Sequence, residues 1–210
     1  MTALNQFWDN LHSQDNGQWL TGSRIQNILD LYRISRDQLE NKNVLEIGIG
    51  RLFITEWLSQ VASTLYACDI SLVALEKAKR FTPHVYPTQD IKKIPAVDLA
   101  LCHLVFVHCT DDECHRMLSN LNLAPGGKLY CQFSCLKTPD AIEHASDHAR
   151  RALTQDGPHF FRTPTTVENM IEASGLIITN RIELDPGAFL GWHGQYWLCL
   201  ECQKNKGNLT

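Results

Sequence analysis

Apolar positions along this chain fall into two alternating patterns, short continuous runs and stretches with helical period. Asn43-Val-Leu-Glu-Ile-Gly-Ile-Gly-Arg51 opens as a short β-branched strand that passes an acid and enters a glycine turn, and Leu52 to Val61 reads as the helix after it. Ser63-Thr-Leu-Tyr-Ala-Cys-Asp69 repeats the strand pattern and again ends in an acid, followed by a helix from Ser71 to Arg80. Thr110-Asp-Asp-Glu113 is a capping box that starts another helix. Ile25 to Tyr32 and Thr165 to Ala173 also read as helices, Leu176 to Leu184 as a strand, and Gly191-Trp-His-Gly-Gln-Tyr-Trp-Leu-Cys-Leu-Glu201 as an aromatic-rich last strand. This alternation argues for a mostly parallel α/β sheet, and 210 residues suit one domain with a sizeable core. The sequence has no internal repeat or low-complexity tract, and residues 204–210 read as a flexible tail.

The glycine turn is the most specific local signal. Gly48 and Gly50 let the backbone turn sharply and approach a ligand closely, and the helix that follows would point its N-terminus at that ligand. This is the opening of a nucleotide-type cofactor site. The dinucleotide fingerprint G-x-G-x-x-G fails, because Phe53 stands where its third glycine is required. Asp69 lies at about the 20-residue spacing from which an acid reaches ribose hydroxyls, and it is equally placed to cap the helix that follows.

What remains, Glu46-x-Gly48-x-Gly50, resembles the first motif of the class I S-adenosylmethionine-dependent methyltransferases, in which an acid precedes alternating glycines; the third glycine of that motif would fall at Leu52. Val85-Tyr-Pro-Thr-Gln-Asp90-Ile91 and Val97-Asp-Leu-Ala-Leu-Cys-His103 follow the family's third and fourth strands in order, and Leu123-Ala-Pro-Gly-Gly-Lys-Leu-Tyr-Cys-Gln-Phe133 resembles the Pro-Gly-Gly lead into its fifth. The resemblance implies a Rossmann-like fold, a seven-stranded, mostly parallel sheet with an antiparallel last strand and helices on both faces. It also implies S-adenosylmethionine as cofactor, leaving as S-adenosylhomocysteine. Glu46, Gly48 and Gly50 would then line its methionine end, Asp69 would accept the ribose hydroxyls and Ile70 would pack on the adenine. Asp90 would accept the adenine amine with Ile91 over the ring, while Cys102 and His103 would approach the amino-acid end. Residues 1–40 would form a helical cover, from which Arg24 would pair with the methionine carboxylate or remain a surface arginine.

Charge and cysteine content narrow the chemistry. A net charge of −4 gives no electrostatic footprint for a nucleic-acid backbone, so a small-molecule acceptor is expected. No run reaches the roughly 20 apolar residues that span a bilayer, and the N-terminus lacks the regions of a signal peptide, so a cytoplasmic location and no membrane partner are expected. Eight cysteines invite a metal reading. Cys199 and Cys202 have CxxC spacing but sit on a strand, where residues three apart point to opposite faces. Cys131 and Cys135 share a strand face about 13 Å apart. The helix start at Thr110 intervenes among His108, Cys109, Cys114 and His115. No metal site is expected, and the thiols read as buried, reduced small hydrophobes.

For an acceptor hydroxyl a base is useful, and histidine suits neutral pH. His108, just beyond the fourth strand, is the first choice, with a packed structural role as the competing account; His103 is the second. An insertion, residues 139–161, would form a lid carrying His144 and His148 on one helix face. Trp19, Phe160, Phe161 and Trp192 would wall the acceptor or pack in a core. The expectation is methyl transfer to a small molecule, at oxygen before nitrogen. A protein or RNA methyltransferase and a non-catalytic cofactor-binding or partner-binding module are the alternatives. Oligomeric state and acceptor identity are not written in these patterns.

Overall fold

Strands buried on both faces need nearly continuous apolar sequence, and β1 (Asn43–Ile47) meets that requirement over Val44 to Ile47, with Glu46 as the one acid inside the buried run. The computed structural model describes residues 3–13, 28–136, 159–184 and 195–205. These belong to two compact units, Met1–Leu101 with Leu121–Gly127, and Cys102–Asn120 with Lys128–Thr210. The strands run β3-β2-β1-β4-β5-β7-β6 across a seven-stranded sheet. This is the Rossmann-like order expected, mostly parallel, with β7 antiparallel to both of its neighbours.

In the first unit, β1 pairs in parallel with β2 (Thr64–Asp69) on one side and β4 (Val97–Cys102) on the other. Ile47 lies opposite Cys68, so the glycine turn after β1 and Asp69 at the end of β2 emerge together. β3 (Val85–Pro87) is shorter than the sequence pattern predicts. Pro87 has no N–H to continue the ladder, and the chain passes into a 3-10 turn, Thr88–Lys93, which carries Asp90 and Ile91. Helix α1 is Ala3–Ser13, α2 is Phe53–Val61 and α3 is Leu72–Ala78. A short helical stretch also covers residues 28–32. Ala67, Ala74 and Ala78 let α3 approach the sheet closely, and Ile49, Leu52 and Leu75 fill the space between. At Gly127, on the lead into β5, an added Cβ would lie 2.8 Å from the Val97 carbonyl oxygen, which explains the second glycine of the Pro-Gly-Gly run.

In the second unit, α4 (Asp111–Ser119) begins at the expected capping box. The Thr110 amide donates to Glu113 Oε2 at 2.8 Å while the Glu113 amide donates to Thr110 Oγ1 at 3.3 Å. α5 (Pro164–Ala173) has Thr163 as N-cap and proline in its first turn. β5 (Leu123–Leu136) runs three residues beyond Phe133, because its antiparallel partner β7 (Gln195–Lys204) continues to face it as far as Leu136 opposite Gln195. β7 likewise outruns its expected end at Glu201 and reaches Lys204, opposite Leu176 of β6 (Leu176–Leu184). Lys204 is therefore strand rather than tail. All eight cysteines are free thiols. Among the described residues no helix is long and apolar enough to cross a membrane.

Candidate functional site

The glycine turn after β1 is set by three left-handed residues in close succession, Gly48 (φ 75°), Gly50 (φ 48°) and Leu52 (φ 71°). Glycine adopts this conformation freely, but Leu52 does not. It stands where the family's third glycine would be, keeps the glycine backbone and supplies the residue before α2, with its side chain buried in the cluster beneath α3. The Gly48 amide donates to the Cys68 carbonyl oxygen at 2.7 Å, and the Gly50 amide points at Asp69 Oδ2 at 3.3 Å. Asp69 Oδ1 accepts the Ser71 amide at 2.8 Å. The N-cap of α3 is Ser71, whose hydroxyl oxygen accepts the Ala74 amide at 3.1 Å. Asp69 thus ties the glycine turn to the approach to the helix without being its cap. Burial raises the Asp69 carboxyl, against the opposing effect of the Ser71, Gly50 and Ile49 amides and the charge of His12.

Two features test the fit of a cofactor to this turn. A Cβ built on Gly50 meets nothing within 4 Å among the described residues, which leaves room for a ligand against the backbone there. Glu46 is buried at 3 % exposure, and its Oε2 has no hydrogen-bond partner among the described residues. A buried carboxyl oxygen in that state is costly, and a ligand ammonium would satisfy it. Burial pushes Glu46 up to about 8; the Thr55 hydroxyl pulls the other way and the Asp69 charge adds to the rise. The residues present fit the amino-acid end of S-adenosylmethionine.

Helix α1 completes this region. Asp9 Oδ1 accepts the Ser71 hydroxyl at 2.6 Å and the Val73 amide at 3.2 Å, while Lys77 Nζ donates to the His12 carbonyl oxygen at 2.7 Å. Asn5 Nδ2 donates to the Ile70 carbonyl oxygen at 3.5 Å. His12 is drawn below its ordinary range by burial, and Asp69 and Asp9 oppose that shift. Asp90 forms an ion pair with Lys93 at 2.9 Å, and Ile91 is buried.

In the second unit, Cys102 ends β4, fully buried, and His103 follows it. Burial lowers the His103 imidazole to about 4, which keeps it neutral and a weak proton acceptor near neutral pH. His108 ends a 3-10 turn, Phe106–His108. That turn is bound to the segment 159–162. The Phe160 amide donates to the Val107 carbonyl oxygen at 2.7 Å, and the buried Arg162 donates to the carbonyl oxygens of Phe106 at 2.9 Å and Cys109 at 2.5 Å and to Asp111 Oδ1 at 2.6 Å. His159 lies against His108, with ring centroids 5.0 Å apart. Phe160 is half-buried, whereas Phe161 is buried and belongs to the packed interior rather than to an open wall.

The structure therefore groups Glu46, Gly48, Gly50, Asp69 and Ile70 in one unit, and Cys102, His103, His108 and Phe160 in the other. Trp19, Arg24, His144, His148 and Trp192 lie outside the described residues. Sequence reasoning missed Asp9, His12, His159 and Arg162. Asp9 and Arg162 act through partners 62 and 51 residues away, for which no local pattern exists. The histidine at 159 carried the usual chemical signal but fell inside a segment read as a lid.

Comparison with known proteins agrees with this geometry. Residues 45–131 match the family described as "Methyltransferase domain". No curated protein matches the sequence. Among solved structures, the N-methyltransferase NodS from Bradyrhizobium japonicum WM9 with S-adenosyl-L-homocysteine is similar at 18 % identity, covering 98 % of this chain and 100 % of its own, with a TM-score of 0.65. Magnesium protoporphyrin IX methyltransferase (ChlM) from Synechocystis PCC 6803, also with bound S-adenosylhomocysteine, is similar at 15 % identity, over 98 % of this chain and 89 % of its own, with a TM-score of 0.59. The [4+2]-cyclase SpnF is similar at 14 % identity, over 95 % and 94 % of the two chains, with a TM-score of 0.64. At these identities the likenesses establish the fold. Residues 45–131 thus match a methyltransferase domain, and the sheet order around them is the fold shared with these methyltransferases.

Proposed function

We propose that this protein, acting as one domain, transfers the methyl group of S-adenosylmethionine to an oxygen of a small-molecule acceptor, with His108 as general base. The observation that carries the cofactor half is the buried Glu46 oxygen, which has no hydrogen-bond partner among the described residues, beside a glycine turn with room at Gly50 among those same residues. In this reading Glu46 takes the cofactor ammonium, and the backbone at Gly48 and Gly50 lines the methionine end. Asp69 already accepts the Gly50 and Ser71 amides and feels that of Ile49, yet a carboxylate offers about four lone-pair sites, which leaves capacity for a ribose hydroxyl. Ile70 and Ile91 flank the adenine, Asp90 meets its amine, Cys102 and His103 border the amino-acid end, and Arg24 pairs with the carboxylate.

The bound cofactor supplies a methyl carbon activated by a cationic sulfur. The chain's own residues align the acceptor, exclude water and move one proton. His108 would take the proton of the acceptor hydroxyl, so that the oxygen could accept the methyl group that S-adenosylmethionine would supply, leaving S-adenosylhomocysteine. His103, held near 4 by burial, is the weaker candidate for this task. Support for a small acceptor comes from the net charge of −4 and from the named substrate of the ChlM enzyme. The likeness to a [4+2]-cyclase favours one second reading, a cofactor-bound scaffold whose reaction is not methyl transfer.

The test begins with calorimetric titration by S-adenosylmethionine and S-adenosylhomocysteine. Asp69→Ala is expected to weaken binding about 100-fold, the cost of two lost hydrogen bonds to a charged acceptor. Methyl-labelled cofactor is then incubated with small-molecule, protein and RNA fractions of a cell extract. Label in the small-molecule fraction supports the proposal. Label in protein or RNA overturns the acceptor class, and binding without any transfer favours the scaffold reading.

A further inference from the structure

The segment 159–162 is built into the fold from two sides. On one, the Arg162 amide donates to the Ser134 carbonyl oxygen at 3.1 Å and the Leu136 amide to the Arg162 carbonyl oxygen at 3.0 Å, so the segment continues the edge of β5. On the other, the Phe160 amide and the Arg162 guanidinium hold the carbonyl oxygens of Phe106, Val107 and Cys109. Those three carbonyls bracket His108. A guanidinium has five donors in a planar fork, and this one, at 2 % exposure, directs them to the carbonyl oxygens of Phe106, Cys109 and Phe160, to Asp111 Oδ1 and to Cys114 Sγ. The turn and the segment are thus one rigid piece. Its outcome on the side-chain side is the His108–His159 contact, with ring planes inclined at 58°.

We propose that His159 is a positioning residue for His108, set beside it by the segment that Arg162 locks to the His108 turn. The inference rests on the reading of His108 as the base. Two imidazoles in contact disfavour a second proton, because the two cations would repel. The pair therefore holds one proton readily and two with difficulty, so one ring is kept able to accept the acceptor's proton, and the contact also restrains how the His108 ring turns. Among the described residues, the titratable or charged groups around this piece include Arg162 on the same segment, Cys109 on the turn, and Asp111, Glu113 and Cys114 on α4.

The experiment is a pH titration of the full chain, ¹⁵N-labelled at histidine, following the His108 ring nitrogens by NMR in the wild type, His159→Gln and Arg162→Lys. The wild type is expected to show a broadened, two-step His108 curve. His159→Gln should convert it to a one-site curve with its midpoint at higher pH. Arg162→Lys, which keeps the charge and loses the fork, should uncouple the pair while His159 remains. A residue that merely packs would leave the shape of the His108 curve unchanged on His159→Gln, and that result overturns the proposal. Titration with S-adenosylmethionine on the same samples separates the two readings. Absence of cofactor binding in the wild type overturns the methyl-transfer function, whereas normal binding with an uncoupled wild-type pair overturns the positioning role alone.

Discussion

Asp9 Oδ1 accepts a hydrogen bond from Ser71 Oγ at 2.6 Å, joining an N-terminal helix to the start of α3 across 62 residues of chain. Ser71 in turn accepts the Ala74 amide, so the two side chains form one polarised chain of hydrogen bonds at a helix N-terminus, where negative charge is favoured. Burial works to raise the Asp9 carboxyl, but the Ser71 hydroxyl, the Val73 and Leu72 amides and the His12 charge outweigh it and hold the group below its ordinary value. Asp9→Ala should cost about 1 kcal/mol, the usual value of a lost cap. It should also release α1 from the Ile70 loop. Hydrogen exchange over residues 3–13 should speed up, and cofactor binding should weaken about 5-fold; unchanged exchange would show that α1 docks by apolar contacts alone.

Glu46 and His103 give the protein an acid–base signature with opposite signs. Glu46, raised to about 8 by burial, binds a proton in the folded state over a range where the unfolded chain has lost it. Its contribution to stability is present below the ordinary value of 4.5 and is lost as pH rises through about 8. His103 is neutral in the folded state down to about 4, while the unfolded imidazole takes up a proton below 6.5, so stability falls as pH drops through that window. Thermal unfolding across these ranges should therefore decline on both sides. Glu46→Gln should flatten the alkaline side and leave the acid side in place.

The same carboxyl links cofactor binding to proton release. An ammonium placed against Glu46 favours its ionised form, so binding at pH 7 should release up to about one proton. Calorimetry in two buffers of different ionisation enthalpy reads that number directly. In Glu46→Gln the buffer dependence should disappear.

Leu52 sets two effects against each other. Its left-handed backbone costs about 1–2 kcal/mol relative to glycine, while its buried side chain contributes roughly 2–3 kcal/mol that a cavity would forfeit. Packing wins. Leu52→Gly should lower stability by about 1 kcal/mol in urea unfolding despite placing a glycine where the motif has one, and Leu52→Ala, which keeps the strain and loses the packing, should lower it by more.

Arg162 and Asp111 form an ion pair whose halves are unequal, since Arg162 is 2 % exposed and Asp111 62 % exposed. Arg162→Met would take the buried guanidinium away from the Phe106 and Cys109 carbonyl oxygens, leaving Phe106 the weaker 3.4 Å bond from the Cys109 amide, and should cost about 3–5 kcal/mol. Asp111→Ala removes only the solvent-facing end and should cost under about 1 kcal/mol. Comparable losses in the two variants would mean that the exposed ion pair, rather than the buried carbonyls, holds the turn.

The sequence by itself determined the sheet and the glycine turn after β1. Continuous apolar runs at 43–47 and 64–69, the glycines at 48 and 50 and the capping box at Thr110 act within a few residues, so their consequences are visible locally. Leu52 shows the edge of that legibility. Its identity breaks the family motif, yet the fold keeps the glycine conformation there because a buried leucine offsets the strain. The ends of β5 and β7 were misjudged for a related reason, since a strand stops where its partner stops, and no single segment records its partner's length. The Asp9–Ser71 bond, the His108–His159 contact and the Arg162 clamp were decided only by tertiary structure. Each joins residues 51 or more positions apart, and the sequence at either end holds an ordinary polar side chain whose meaning depends on what the fold brings against it.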